Sequence, residues 1–60
     1  MEYVAEFQNK DDGITAVVAA GSGAKYNVGI RDDDSGEFVG AWILFNDKTA
    51  AITKAKSLVA

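Results

Sequence analysis

The sequence predicts an α+β domain. Its four-stranded antiparallel sheet, built from two hairpins, carries one C-terminal helix on one face, in the order ββββα. Two observations lead there. Two Asp- and Gly-rich turns, Asn9–Gly13 (NKDDG) and Asp33–Gly36 (DDSG), each lie between segments whose side chains suit strands, the mark of tight hairpins. After Asn46 a helical spacing of apolar residues replaces the alternation. No linker, internal repeat or low-complexity tract divides the chain, so residues 1–60 are expected to form a single domain.

Glu2–Gln8 (EYVAEFQ) sets Tyr3, Ala5 and Phe7 on one face against Glu2, Val4, Glu6 and Gln8 on the other, a half-buried strand. Asp11-Asp12-Gly13 suits a type I turn closed by a left-handed glycine, the three-residue hairpin loop. Lys10 would then pair with Ile14, Phe7 would face Val17 and Ala5 would face Ala19. Ile14–Ala20 (ITAVVAA) is the second strand. Gly21–Ala24 (GSGA) is a flexible connection, too polar and glycine-rich to extend a strand.

Lys25–Asp32 (KYNVGIRD) alternates most cleanly, with Tyr26, Val28 and Ile30 opposed to Lys25, Asn27, Gly29 and Arg31. If Asp33–Gly36 closes with a glycine bulge, Asp33 pairs with Glu37, setting Ile30 against Gly40, Val28 against Trp42 and Tyr26 against Leu44. A four-residue loop would shift the register by one and move Phe38, Trp42 and Leu44 to the polar face. Asn46 is the expected helix N-cap, with Asp47 in the first turn. Asp47–Val59 then carries Ala51, Ile52, Ala55, Leu58 and Val59 at helical spacing.

The fourth strand, Glu37–Phe45 (EFVGAWILF), breaks the rule of one wet face. Phe38, Trp42 and Leu44 point one way, and Val39, Ala41, Ile43 and Phe45 point the other. One helix covers one face, so the three-residue-loop register puts Phe38, Trp42 and Leu44 beneath the helix. Val39, Ala41, Ile43 and Phe45, with Gly29, are left as an oligomer interface. Length points the same way. A 60-residue chain buries only about 60% of its unfolded surface, and below roughly 70–80 residues a core needs disulfides, a metal or oligomerisation. With neither cysteine nor histidine, disulfides, thiolate metal sites and the commonest zinc ligand are excluded. Oligomerisation remains, with a dimer favoured.

Net charge is −3, which disfavours nucleic acid as a partner. Acidic residues crowd at Asp11–Asp12 and Asp32–Glu37. The first residues, Met1 and Glu2, with no basic cluster and no long apolar run, predict neither a signal peptide nor a membrane span, and hence a cytoplasmic protein. The Arg31–Glu37 run (RDDDSGE) fails the calcium-loop pattern, because Gly36 comes too early and Leu44 falls near the required Glu. GSGAK lacks the Gly-Lys-Ser/Thr ending of a phosphate loop, although its glycine amides could touch an anion at a subunit junction. No cofactor or metal is expected. The titrating groups are carboxylates mostly in turns, lysines, two tyrosines and one arginine, which give no catalytic constellation. The protein is expected not to be an enzyme.

Lys25, Asn27 and Arg31 share a face near aromatic residues, the combination by which sheets hold single strands; they serve equally as the polar rim of an apolar interface. Trp42 reads either as core or as a contact residue. Val28-Gly29-Ile30-Arg31 before a glycine turn, followed by a strand leading into a helix, resembles the single-stranded-DNA-binding domains of a transcriptional-coactivator family. The likeness covers roughly the last 35 positions. It implies dimerisation through helix and sheet and a single strand bound on a curved β-face. The leading expectation is a small non-catalytic interaction protein acting as a homo-oligomer, with another protein as a possible partner. The alternatives are a single-stranded nucleic-acid-binding module, or a small acidic inhibitor of a host protein of the kind viruses make.

Overall fold

The computed structural model describes residues 2–21 and 23–60. Strands β1 (Glu2–Asn9), β2 (Ile14–Ala20), β3 (Tyr26–Asp32) and β4 (Phe38–Phe45) form one antiparallel sheet in the order β1-β2-β3-β4, and helix α1 (Lys48–Leu58) packs across it. This is the ββββα fold expected from the sequence. The connection between β2 and β3 contains Ser22, which lies outside the described residues, as does Met1.

Both hairpin loops are one residue longer than the three-residue reading. Asn9 pairs with Ile14, leaving Lys10–Gly13 as the first loop. In the second, the Asp32 N–H donates to the Glu37 carbonyl at 2.8 Å, leaving Asp33–Gly36. The cause is side-chain capping at the strand ends. Asn9 Oδ1 accepts from the Asp12 N–H at 3.2 Å, and Asp32 Oδ1 accepts from the Asp34 N–H at 3.0 Å. Each folds the loop one position earlier than the aspartates alone suggest. Gly13 (φ 67°) and Gly36 (φ 76°) close the two loops in the left-handed region. The loops also touch, the Asp33 N–H donating to the Gly13 carbonyl at 2.9 Å.

One residue of register reverses the faces. In the first hairpin Phe7 pairs with Ala16 and Ala5 with Val18, instead of Val17 and Ala19. An irregularity between Tyr3 and Ala5 then returns Tyr3 to the opposite face, beside Ala19. In the second hairpin Arg31 pairs with Phe38 and Ile30 with Val39, while Val28 pairs with Ile43 and Tyr26 with Phe45. Between these two stretches Gly29 alone faces Gly40, Ala41 and Trp42, a bulge that Gly40 (φ 73°) accommodates. Two extra residues preserve the alternation. Val39, Ile43 and Phe45 therefore lie on the helix side, and Phe38, Trp42 and Leu44 lie on the other side. The expected assignment of these two sets is reversed.

The helix begins one residue later than expected. Asp47, in extended conformation, is the N-cap, and its carboxylate accepts from the Ala50 N–H at 3.0 Å. Asn46 instead accepts a hydrogen bond from Lys25 Nζ at 2.8 Å. The core between helix and sheet consists of Ala16, Val18, Val28, Ala51 and Ala55, ringed by Phe7, Tyr26, Ile30, Phe45, Ile52 and Leu58. Alanines at the helix contact let its backbone approach β2 and β3 closely. Asn9 Nδ2 donates to the Val59 carbonyl at 3.0 Å and ties the helix C-terminus to the first hairpin. Lys56 sits 5.6 Å over the Phe7 ring.

Candidate functional site

The helix-free face is not left bare. Thr15, Val17 and Ala19 project there from β2, yet all three are buried. Their cover comes from the two edge strands. Tyr3 on β1 lies in the row of Ala19, Asn27 and Leu44, and Phe38 on β4 in the row of Arg31 and Thr15, so they stand diagonally across the twisted sheet, yet their rings meet edge-on at 6.3 Å between centroids. Phe38 in turn packs on Trp42 at 4.7 Å. Such pairs contribute about 0.5–1.5 kcal/mol each beyond the area they bury. The rings lean inward and roof the middle strands.

Gly29 is what lets the roof close. A methyl group added at Gly29 would meet Trp42 ring carbons at 2.8–2.9 Å, so the indole lies directly on the β3 backbone. Beside the aromatics, Arg31 Nη2 meets Glu6 Oε1 at 3.2 Å. Thr15 Oγ1 donates to Asp33 Oδ1 at 2.7 Å, and Gln8 Nε2 donates to Asp33 Oδ2 at 3.2 Å. These two bonds, Thr15 first, hold the Asp33 carboxyl below its ordinary pKa.

The apolar surface left to solvent is concentrated on β4. Residues 39–44 are all exposed, including Val39 (50%) and Ile43 (39%) on the helix side and Trp42 (37%) and Leu44 (56%) on the other. No charged residue stands between Glu37 and Asp47. β4 is also an edge strand, and an edge presents unpaired backbone N–H and C=O groups along its outer side.

The expected interface set therefore does not gather on one face. Val39, Ile43 and Phe45 share the helix side, where Phe45 is half-buried against the core. Ala41 is exposed within the bulge, and Gly29 is buried on the opposite face under Trp42. Trp42 is a lid residue, partly covered and partly free. The expected ligand contacts do not converge either. Lys25 precedes β3 and Arg31 lies near its end, about 20 Å away, Lys25 bonded to Asn46 and Arg31 paired with Glu6. Asn27 lies between Ala19 and Leu44 in the sheet. Sequence reasoning missed the roof. Its signals were present as Tyr3, Phe38, Trp42 and a glycine in mid-strand, but only the correct register puts them on one face.

Among the described residues no three acidic side chains converge as a metal site, and no cavity opens. No helix there is long and apolar enough to cross a membrane. No family model, curated protein or solved structure matches the chain.

Proposed function

We propose that this chain is a small non-catalytic interaction protein that acts as a homo-oligomer through the apolar surface of β4. The observation that carries this reading is the run of six exposed, uncharged residues at 39–44 on an edge strand. The chain covers the centre of both sheet faces with its own helix and aromatic residues, so the surface still unmatched is the edge. A second copy supplies an equally apolar, uncharged strand, and a cytoplasmic setting fits a chain without cysteine. Sedimentation velocity at micromolar concentration tests the reading. A dimer or higher oligomer is expected, and a stable monomer contradicts it.

Binding of single-stranded nucleic acid is the second reading, favoured by the Tyr3–Phe38–Trp42 cluster as a stacking platform. Against it, these rings pack on one another and Arg31 is already neutralised by Glu6. Titration with an oligonucleotide at low salt decides it, a salt-sensitive shift being the supporting result.

A further inference from the structure

We propose that two copies join β4 to β4 antiparallel, about a twofold axis perpendicular to the sheet and passing at Ala41. The product is one eight-stranded sheet with both helices on the same side. The inference rests on the homo-oligomer reading and gives it a geometry.

The exposed apolar residues occupy both faces of one strand. A partner stacked on the helix-free face would cover Trp42 and Leu44 and leave Val39 and Ile43 in water. A strand added at the edge extends both faces at once.

Register then selects one alignment of the two strands. A twofold axis perpendicular to the sheet returns each residue to its own face, and directly opposed residues share a face. A residue on one copy can therefore oppose only residues an even number of positions away. With Ala41 on the axis, Ile43 opposes the partner's Val39 on the helix side, and Leu44 opposes the partner's Phe38 on the other. Trp42 then opposes the partner's Gly40, where no side chain competes with its ring. Shifting the axis to Trp42 would stack two indoles on it and set Val39 against the partner's Phe45, which is already packed under its own helix. The bulge at Gly40–Trp42 interrupts the ladder at the centre. Pairing is carried by residues 38–39 against the partner's 43–44, repeated by symmetry.

Charge favours the same alignment. In this register the acidic turn, with Asp33, Asp34 and Glu37, runs past the far end of the partner's β4. That end carries Lys48 and, bonded to Asn46, Lys25, against Asp47, whose carboxylate is engaged by the Ala50 N–H at the helix N-cap. The complementarity occurs twice by symmetry. Growth stops at two copies because the other edge, β1, carries Glu2 and Glu6.

The chain has no cysteine, so single-cysteine variants report the geometry directly. Opposed Cα atoms lie about 4.5–5.5 Å apart, within disulfide reach. Under mild oxidation a mixture of the Val39→Cys and Ile43→Cys variants is expected to give the mixed cross-linked dimer, because these two positions oppose one another outside the bulge, whereas Glu2→Cys on β1 and Thr53→Cys on the helix are not expected to cross-link. Lys48→Glu is expected to weaken the dimer about threefold, and adding Asp34→Lys to restore it. A sedimenting dimer in which Val39→Cys and Ile43→Cys fail to cross-link to one another overturns the β4 pairing and leaves the homo-oligomer reading intact. Lys48→Glu without rescue overturns the register. A monomer at micromolar concentration overturns both.

Discussion

The two edges of the sheet are the same length and opposite in character. β1 and β4 each span eight residues, each has one free side, and each sends an aromatic ring over the middle strands. β1 carries Glu2, Glu6, Gln8 and Asn9, and three of these are tied down: Glu6 to Arg31, Gln8 to Asp33 and Asn9 to the Val59 carbonyl. β4 has no polar side chain at all between Phe38 and Phe45. An edge strand is a hazard unless charge, a bulge or a covering element blunts it. β1 is blunted by charge and β4 only by its bulge. By this contrast β1 is suited to stay single and β4 to be matched.

The comparison breaks most severely where the two edges meet above the sheet. Gly29→Val pushes a side chain into the Trp42 ring and lifts the roof that Tyr3 and Phe38 share. A stability loss of about 1–3 kcal/mol is expected, read by chemical denaturation, with a red shift of the single tryptophan's emission. If the variant unfolds like the parent and its emission is unchanged, the roof does not cover the middle strands.

A substitution confined to one edge separates the two roles. Ile43→Lys puts a charge on exposed β4 surface and is expected to weaken association at least tenfold, about 1.4 kcal/mol, with little change in melting temperature. Equal sedimentation of parent and variant would remove β4 from the interface. Glu6→Val is the mirror experiment. It takes the charge from β1 and frees Arg31, and it is expected to convert a closed dimer into concentration-dependent larger assemblies visible by light scattering. A variant that remains a dimer shows that β1 is guarded by something other than Glu6.

The smallest effect concerns the clamp between the hairpins. Hydrogen bonds from Thr15 and Gln8 depress the Asp33 pKa below 3.8. The stability this contributes is complete above the unfolded value and is lost as pH falls through the lower folded value. Asp33→Asn should flatten that part of the acid-unfolding curve and leave neutral stability slightly reduced. An unchanged acid limb would mean the clamp does not act through the carboxylate.

The element order, the single helix and both hairpins were legible in the sequence, because alternation, turn residues and helical spacing are local signals. Which side each strand shows was not. It depended on whether Asn9 and Asp32 cap their loops, a choice of one residue that reverses every side chain downstream. The bulge at Gly40 was likewise invisible, since two extra residues leave the alternation of β4 intact. The aromatic roof is hidden for the same reason: only when Phe38 and Trp42 lie on the helix-free side does Gly29 have an occupant, the Trp42 ring. The association surface was legible as a strand without charge, but its place, an edge rather than a face, required the fold.

Amide hydrogen exchange along the two edges reads the backbone that a matching strand would pair. If β4 pairs with a second copy, its outward-facing amides exchange slowly at high protein concentration and quicken on dilution, while those of β1 exchange rapidly throughout. Equal, concentration-independent exchange at both edges would contradict that pairing.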